Sequence, residues 1–520
     1  MKKTTALLMV LCLAAGMCAA AAEDGTKPSF TFSALTEAQP ESLTSYLSDF
    51  SGGTDGWYAR SAGSASIQVT ADGLKITGRE STWNSPGRDF PLEAGKKYTL
   101  SADVLQDAVD QAKFMISVAH SKNGTESYEN LATGTAKKGE WTTLTCTWTP
   151  GVFDNYILYV ETNGNGTIDF TIRNFSVELN EIRYDSTLPS LKETYARYFP
   201  LGTAVTQGEA LDRKRMDIYA SQFAIFTPGN ELKPDSVLDI SASRKLAKED
   251  PAAVAVHFDA AKPLLDYCRE KGLAVHGHVL VWHSQTPEVF FREGYNATGK
   301  FVSREVMLAR LDNYIRLIMA YMQENYPGVI VSWDVVNEAV DDGSGKLRAS
   351  NWTRVVGEDF VERAFEIARK YAPAGTKLFY NDYNTPMTPK TDGIVALLSR
   401  LVAEGNIDGY GFQCHYGVGN PGLSKVRQAM ERIEALGLRL RVSELDITIQ
   451  ANNEANLRSQ AIRYENLFGL FIEHAASLDA VQLWGVSDDL SWLAPQYPLL
   501  FDARMQPKPA FWSVVELAAQ

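Results

Sequence analysis

Polar and hydrophobic positions change their rhythm partway along the chain. Between about residues 46 and 180, runs such as ASIQVTA, YTLSADV, TTLTCTWT, YILYVET and IDFTIRNFSVEL alternate as strands do, separated by turn formers in GGTDG, ADG and NGNG. This predicts an all-β sandwich, jelly-roll-like, over residues 46–180. After a linker at 181–193, β-branched runs alternate with helical ones over residues 194–520, the pattern of βα units around a parallel sheet. Eight strand candidates appear: YFPLGTAV (198–205), FAIFTPG (223–229), LAVHGHVLVW (273–282), GVIVSWDVVNE (328–338), KLFYNDYN (377–384), DGYGFQCH (408–415), LRLRVSELDI (438–447) and AVQLWGVSDD (480–489). Helical stretches such as VMLARLDNYIRLIMAYMQENY lie between them. The expected fold is therefore α/β, a (β/α)8 TIM barrel, with functional groups at the C-terminal ends of the strands.

The N-terminus adds an address. Residues 1–22, MKKTTALLMVLCLAAGMCAAAA, put two lysines before an apolar run and finish on small residues ahead of Glu23, the arrangement of a cleaved export signal. Lipid anchoring on Cys18 is the alternative, for which Met17 is a poor neighbour. Residues 23–45 read as an N-terminal lead, and the mature protein is expected to be exported: secreted, periplasmic or at the cell surface. No later apolar run is long enough to span a bilayer. The remaining cysteines, Cys146, Cys268 and Cys414, are an odd and scattered set that builds neither a disulfide framework nor a zinc site. Loss of Lys2 and Lys3 takes the formal net charge from -13 to -15, which disfavours nucleic acid and anionic membrane and suits a neutral polymer. A monomer is expected.

Chemistry concentrates at the predicted strand ends. Glu338 closes the fourth strand and Glu444 the seventh, while Asn230, His278, Trp282, His283, Asn381, Gln413, His415 and Trp484 fall on others. Two carboxyl groups facing across a barrel mouth suit hydrolysis of a glycosidic bond: one protonates the leaving oxygen and the other attacks or stabilises the sugar carbon. Indole faces stack on sugar rings, and amides and imidazoles meet hydroxyls. A single Glu at a strand end is as often a solvated loop carboxylate, but this assembly is not what a bare scaffold needs. The triplet HGH at 276–278 offers a metal-binding alternative, since alternate strand residues point the same way. No matching set of Asp and His ligands accompanies it at the strand ends, so catalysis without a cofactor is expected.

The segment GLRLRVSELDI (437–447) resembles the active-site signature of family 10 glycoside hydrolases. TPGNELKPD (227–235), HGHVLVWHSQTP (276–287), WDVVNEA (333–339), NDYN (381–384), QCH (413–415) and WGVSDDLSW (484–492) are similar to its other blocks, in order. The resemblance implies a retaining endo-β-1,4-xylanase acting on xylan and xylo-oligosaccharides, with Glu338 as acid/base and Glu444 as nucleophile about 5 to 5.5 Å apart. It implies that Asn337 meets the 2-hydroxyl of the cleaved sugar, that His415 orients Glu444 with Asp446 behind it, and that Asn230, Lys233, His278, Gln285 and Gln413 contact substrate. Trp282, Trp484 and Trp492 are implied as cleft walls, with Trp333 left to the core. The alternatives are a catalytically silent xylan binder or a cellulase or mannanase on a related barrel. One position departs from the family: Gly229 stands where members usually carry Glu before the Asn, which implies a weaker or roomier neighbouring subsite.

The first domain is similar to family 22 carbohydrate-binding modules through GRESTWNSPGRDF (78–90), EAGKKYTLSADV (93–104), GEWTTLTCTWT (139–149) and YILYVET (156–162). That likeness implies a xylan-binding groove lined by Trp83, Tyr128, Tyr159 and Glu161, with Arg60 beside them. A structural calcium ion accompanies some such modules, but Arg173 occupies a position where an acidic residue is frequent and weakens that expectation here.

Overall fold

The computed structural model describes residues 43–60, 63–164 and 166–519. The expected export signal, Cys18 and most of the N-terminal lead lie outside the described residues. Two compact units divide between Leu179 and Asn180.

The first unit is two antiparallel sheets. One orders Ser66–Thr70, Gly73–Thr77, Phe170–Leu179, Tyr98–Leu105 and Thr142–Trp148, with Ser45–Ser48 also paired to Phe170–Leu179. The other orders Tyr58–Ala59, Pro86–Asp89, Asn155–Thr162, Gln111–Lys122 and Thr125–Lys137. Strict alternation in YTLSADVL buries every second side chain, and Leu100, Val104 and Ile172 of one sheet join Ile116, Val118 and Leu158 of the other in a single core. Asn123 and Gly124, both at positive φ, form the two-residue turn between Gln111–Lys122 and Thr125–Lys137. That is the Asn-Gly hairpin signal, because the turn matching strand twist needs two left-handed residues.

The second unit is a closed parallel barrel. Its strands are β1 (Leu201–Val205), β2 (Ile225–Pro228), β3 (Ala274–Gly277), β4 (Ile330–Asn337), β5 (Lys377–Asp382), β6 (Gly409–Phe412), β7 (Arg439–Thr448) and β8 (Leu478–Leu483). They run in the order β3-β2-β1-β8-β7-β6-β5-β4, and a further pairing of β3 with β4 closes the ring. Every residue of β1 and β2 is buried, as strands covered on both faces must be. The helix Arg304–Asn325 starts where the Ser303 side chain accepts a hydrogen bond from the Val306 amide, and it buries Met307, Leu311, Ile315, Ile318 and Met322.

Three boundaries differ from the hydrophobic pattern. The expected third strand is split into Ala274–Gly277 and Val281–Trp282, both paired to β4. The expected sixth strand ends at Phe412, and His415–Gly417 pairs separately with β7. Residues 181–193, expected as a linker, belong to the second unit: Ile182, Tyr184 and Leu188 pack on its core, and the Arg183 amide donates to the Arg504 carbonyl at 2.8 Å. Their few apolar side chains find a groove on the barrel that local sequence does not reveal.

Inside the barrel a buried polar ladder replaces part of the apolar filling. Arg441 donates to Gln482 at 2.8 Å and to Ser332 at 3.1 Å, and Ser332 lies 2.7 Å from His276 Nδ1. His276 Nε2 and His278 Nδ1 both meet Asp334 Oδ2, at 3.0 and 2.9 Å. Although burial opposes its charge, these two imidazoles hold the Asp334 carboxyl well below the ordinary aspartate range. The HGH histidines thus close on one carboxylate, His278 through a hydrogen bond and His276 through a charge contact. Among the described residues, no group of three or more His, Cys, Asp or Glu is placed to hold a metal ion.

Candidate active site

Glu338 follows directly on β4 with φ at 57°, a left-handed conformation that costs a non-glycine residue about 1 to 3 kcal/mol unless the surroundings enforce it. Its amide donates to the Asn381 carbonyl at 2.9 Å, and its own carbonyl accepts from Arg348 Nε at 3.1 Å. The turn swings the side chain off the strand direction and into the cleft. There Oε2 accepts from Trp282 Nε1 at 3.0 Å, and Oε1 accepts from Asn337 Nδ2 at 3.1 Å and Gln413 Nε2 at 2.9 Å.

Glu444 sits within β7, 5% exposed. Asn381 Nδ2 donates to its Oε1 at 2.7 Å, and His415 Nε2 lies 3.0 Å from its Oε2. Burial alone penalises its charge, yet the His415 hydrogen bond and the charges of His278 and His415 hold its carboxyl below the ordinary glutamate value. Behind it, His415 Nδ1 and Trp492 Nε1 both reach Asp446 Oδ2 at 2.9 Å. The two carboxylates are joined by side-chain amides: Asn337 donates to Glu338, and its Oδ1 accepts from Asn381 at 3.0 Å, which donates in turn to Glu444.

Both glutamates line one cleft of about 650 Å³ together with Asn230, Lys233, His278, Trp282, Gln285, Asn337, Gln413, His415, Trp484 and Trp492. Every barrel residue expected to touch substrate is brought there, and Asp446 stands behind His415. Lys233 Nζ donates to Asn230 and Gln285, each at 2.9 Å, and stands 5.0 Å from the Trp282 ring centre. Trp484 packs edge-on against His278 and His415. Trp492 is exposed, whereas Trp333 is buried in the core as expected. His283, one of the strand-end residues, is exposed and outside this cleft.

Asn381, Tyr383 and Glu209 are part of the site without having been assigned a role from sequence. Asn381 is the central bridge, fixed from behind by Ser443 Oγ at 2.6 Å. Its place at a strand end hinted at function, but its side-chain partners come from two other strands, β4 and β7. Tyr383 and Glu209 line the cleft, and no local pattern distinguishes either from a packing residue.

In the first unit, Trp83 and Tyr128 are 48% and 60% exposed, rings available to a ligand. Tyr159, expected to line a groove, is instead only 3% exposed. The Arg60 guanidinium lies 3.6 Å over its ring centre and occupies the face a sugar would use. Gly87 permits this: a Cβ there would lie 2.5 Å from Arg60 Cδ. Glu161 is buried and accepts from Ser117 Oγ at 2.7 Å. Arg173 stacks on Trp141 at 3.8 Å and stands 3.4 Å from Asp103 Oδ2.

Residues 190–517 match the model of glycosyl hydrolase family 10. The chain belongs to that family. Residues 45–167 match a carbohydrate binding domain. Endo-1,4-beta-xylanase A of Thermoanaerobacterium saccharolyticum is 34% identical over 491 residues, covering 89% of this chain and 40% of that protein. Endo-1,4-beta-xylanase B of Butyrivibrio fibrisolvens is 38% identical over 339 residues, 63% of this chain and 53% of its own length. The chain therefore spans about half or less of these curated relatives. Among solved structures, the CBM22-1–GH10 modules of Clostridium thermocellum endo-1,4-beta-D-xylanase 10B, complexed with xylohexaose, superpose with a TM-score of 0.60 at 30% identity, covering 91% of this chain and 96% of that one.

For this family 10 barrel, the imidazole between Glu444 and Asp446 predicts a pH signature. Burial pulls the His415 value down, but the charges and hydrogen bonds of Asp446 and Glu444 outweigh it and raise it to about 10. An unfolded histidine titrates near about 6.5, so the folded state binds this proton more tightly. The resulting stabilisation is fully present below about pH 6.5 and is lost as pH rises towards about 10. Thermal melts of wild type and His415→Gln across that range are expected to converge as pH increases; a constant difference contradicts the protonated imidazole.

Proposed function

We propose that this protein is a retaining endo-β-1,4-xylanase that cleaves internal bonds of xylan through a covalent glycosyl-enzyme. The observation that carries this reading is the asymmetric treatment of two carboxyl groups in one cleft. Glu444 is held ionised by His415, as a nucleophile must be, while Glu338 is presented on a left-handed turn among neutral N–H donors. In the first step Glu338 gives its proton to the leaving oxygen as Glu444 attacks the anomeric carbon, so one C–O bond breaks as another forms. In the second, Glu338 takes a proton from water as the oxygen of that water displaces Glu444. Asn337 stands between the two to meet the sugar hydroxyl next to the reacting carbon, and Trp484 and Trp492 supply ring faces.

No step in this scheme needs a metal or organic cofactor, and chelator treatment is expected to leave the rate unchanged. Reducing-sugar release from xylan, cellulose and mannan side by side tests the reading: release from xylan alone supports it, whereas faster release from cellulose or mannan, or none, overturns it. The carbohydrate-binding domain is proposed to hold xylan through Trp83 and Tyr128, checked by affinity electrophoresis in xylan of wild type against Trp83→Ala and Tyr128→Ala. Export of the mature chain, supported by the composition of residues 1–22, is tested by cell fractionation.

Gly229 bears on which xylan is preferred. It lines the cleft, and a Cβ there would have no neighbour closer than 3.7 Å, so a side chain fits. Gly229→Glu is expected to tighten binding of unsubstituted xylo-oligosaccharides by about 10- to 100-fold, the worth of one charged hydrogen bond, and to lower the relative rate on substituted ones. Unchanged KM and unchanged preference contradict a role for this opening.

A further inference from the structure

The left-handed turn at Glu338 rests on a buried ion cluster that the chemistry described above does not use. Immediately after Glu338, the amides of Ala339 and Val340 both donate to the Tyr380 hydroxyl, at 2.9 and 3.2 Å. Tyr380 donates to Asp382 Oδ2 at 2.5 Å. Asp382 is wholly buried; its Oδ1 accepts from the Tyr383 amide at 2.9 Å and forms an ion pair with Lys390 Nζ at 2.7 Å. Lys390 is itself 0% exposed; it meets Asp342 Oδ1 at 2.6 Å and stands 3.6 Å over the Tyr383 ring centre. Tyr383 faces the cleft, and its hydroxyl accepts from Arg348 Nη2 at 3.0 Å, the same guanidinium that holds the Glu338 carbonyl.

The cluster is thus a closed frame. One branch runs from Lys390 through Asp382 and Tyr380 to the backbone after Glu338, and the other through Tyr383 and Arg348 to the Glu338 carbonyl. The loop that Asp342 lies in is also pressed against the helix that Lys390 begins, because Gly393 has no side chain: a Cβ there would lie 1.9 Å from the Gly345 carbonyl oxygen. A lysine and an aspartate without solvent are a costly choice for simple packing, since hydrophobic residues of similar volume are commonly as stable or more so. What the ions add is direction, as each hydrogen bond fixes an angle.

We propose that Lys390, with Asp382 and Tyr380, is a positioning unit for the acid/base: it locks the strained turn that aims the Glu338 carboxyl at the leaving oxygen. The inference rests on the xylanase reading above. A group that acts by aiming a proton donor matters most where the leaving group needs protonation and least where it does not.

The test compares xylotetraose, whose sugar leaving group requires a proton, with 2,4-dinitrophenyl β-xylobioside, whose leaving group does not. In Tyr380→Phe, and in the double variant Lys390→Met with Asp382→Asn that removes both charges together, kcat/KM, which reports the first step alone, is expected to fall about 10-fold more on xylotetraose than on the aryl glycoside. The ratio of the two rates is independent of the fraction folded, so loss of stability alone leaves it unchanged. Equal losses on both substrates, or no loss on either, overturn the positioning role. Failure of the wild-type protein to cleave either substrate overturns the xylanase reading instead. Should the double variant not fold, Tyr380→Phe, which leaves the ion pair intact, decides the matter.

Discussion

Glu444→Ala is expected to lower kcat on xylan on the order of 10⁵-fold, the scale on which a lost nucleophile disables a covalent mechanism. No glycosyl-enzyme should form, and mass spectrometry of protein mixed with a slow aryl xylobioside should show no covalent adduct where the wild type shows one. Azide, small enough to enter the space left by the carboxylate, is expected to restore turnover by attacking from that face and to yield the α-glycosyl azide, with inversion. Retention of a tenth or more of the wild-type rate, or a β-azide product, removes Glu444 from the nucleophile's role. The prediction follows from placement: Glu444 is the buried carboxylate tied to the charged His415, and that tie favours the ionised form an attacking group requires.

Glu338→Ala is expected to behave differently. Without a general acid, kcat on xylo-oligosaccharides should drop about 10²- to 10⁴-fold, while the first step on a dinitrophenyl glycoside should proceed nearly as before. The glycosyl-enzyme then waits for a base that is missing, so steady-state turnover slows after a burst. Added azide, needing no base, should release it as the β-glycosyl azide. Opposite azide products from the two variants would assign the two glutamates unambiguously; identical products would mean that one assignment is wrong. Tyr380→Phe is the milder image of this variant, weakening the aim of the acid without deleting it.

Much of this molecule is legible along the chain because its signals are periodic or categorical. Alternation of period two, with turn formers between runs, identified the sandwich, and eight βα repeats identified the barrel. Twelve residues assigned to the cleft from strand ends and family blocks do line it. What failed to show were properties set by contacts between distant segments. Tyr159 is an aromatic on a strand, and nothing within YILYVET tells that Arg60, nearly a hundred residues earlier, covers its ring. The apparent linker at 181–193 packs on the barrel through side chains whose partners lie elsewhere.

The same division runs through the active site. Sequence alone named the candidate residues that the cleft brings together, because residue type and order relative to a strand end are local facts: two glutamates, their amide and imidazole companions, and the indoles. Only the tertiary structure decided how those groups are used. Whether a glutamate is held ionised depends on which donors and charges surround it in three dimensions, and Glu444 receives His415 and Asn381 from two other strands. Whether a turn can stay left-handed depends on what holds it, and Glu338 relies on Tyr380, Arg348 and a lysine buried 52 positions further on. Electrostatic and hydrogen-bond energies fall off with distance in space, whatever the separation along the chain, so the sequence names the groups while the fold sets their states.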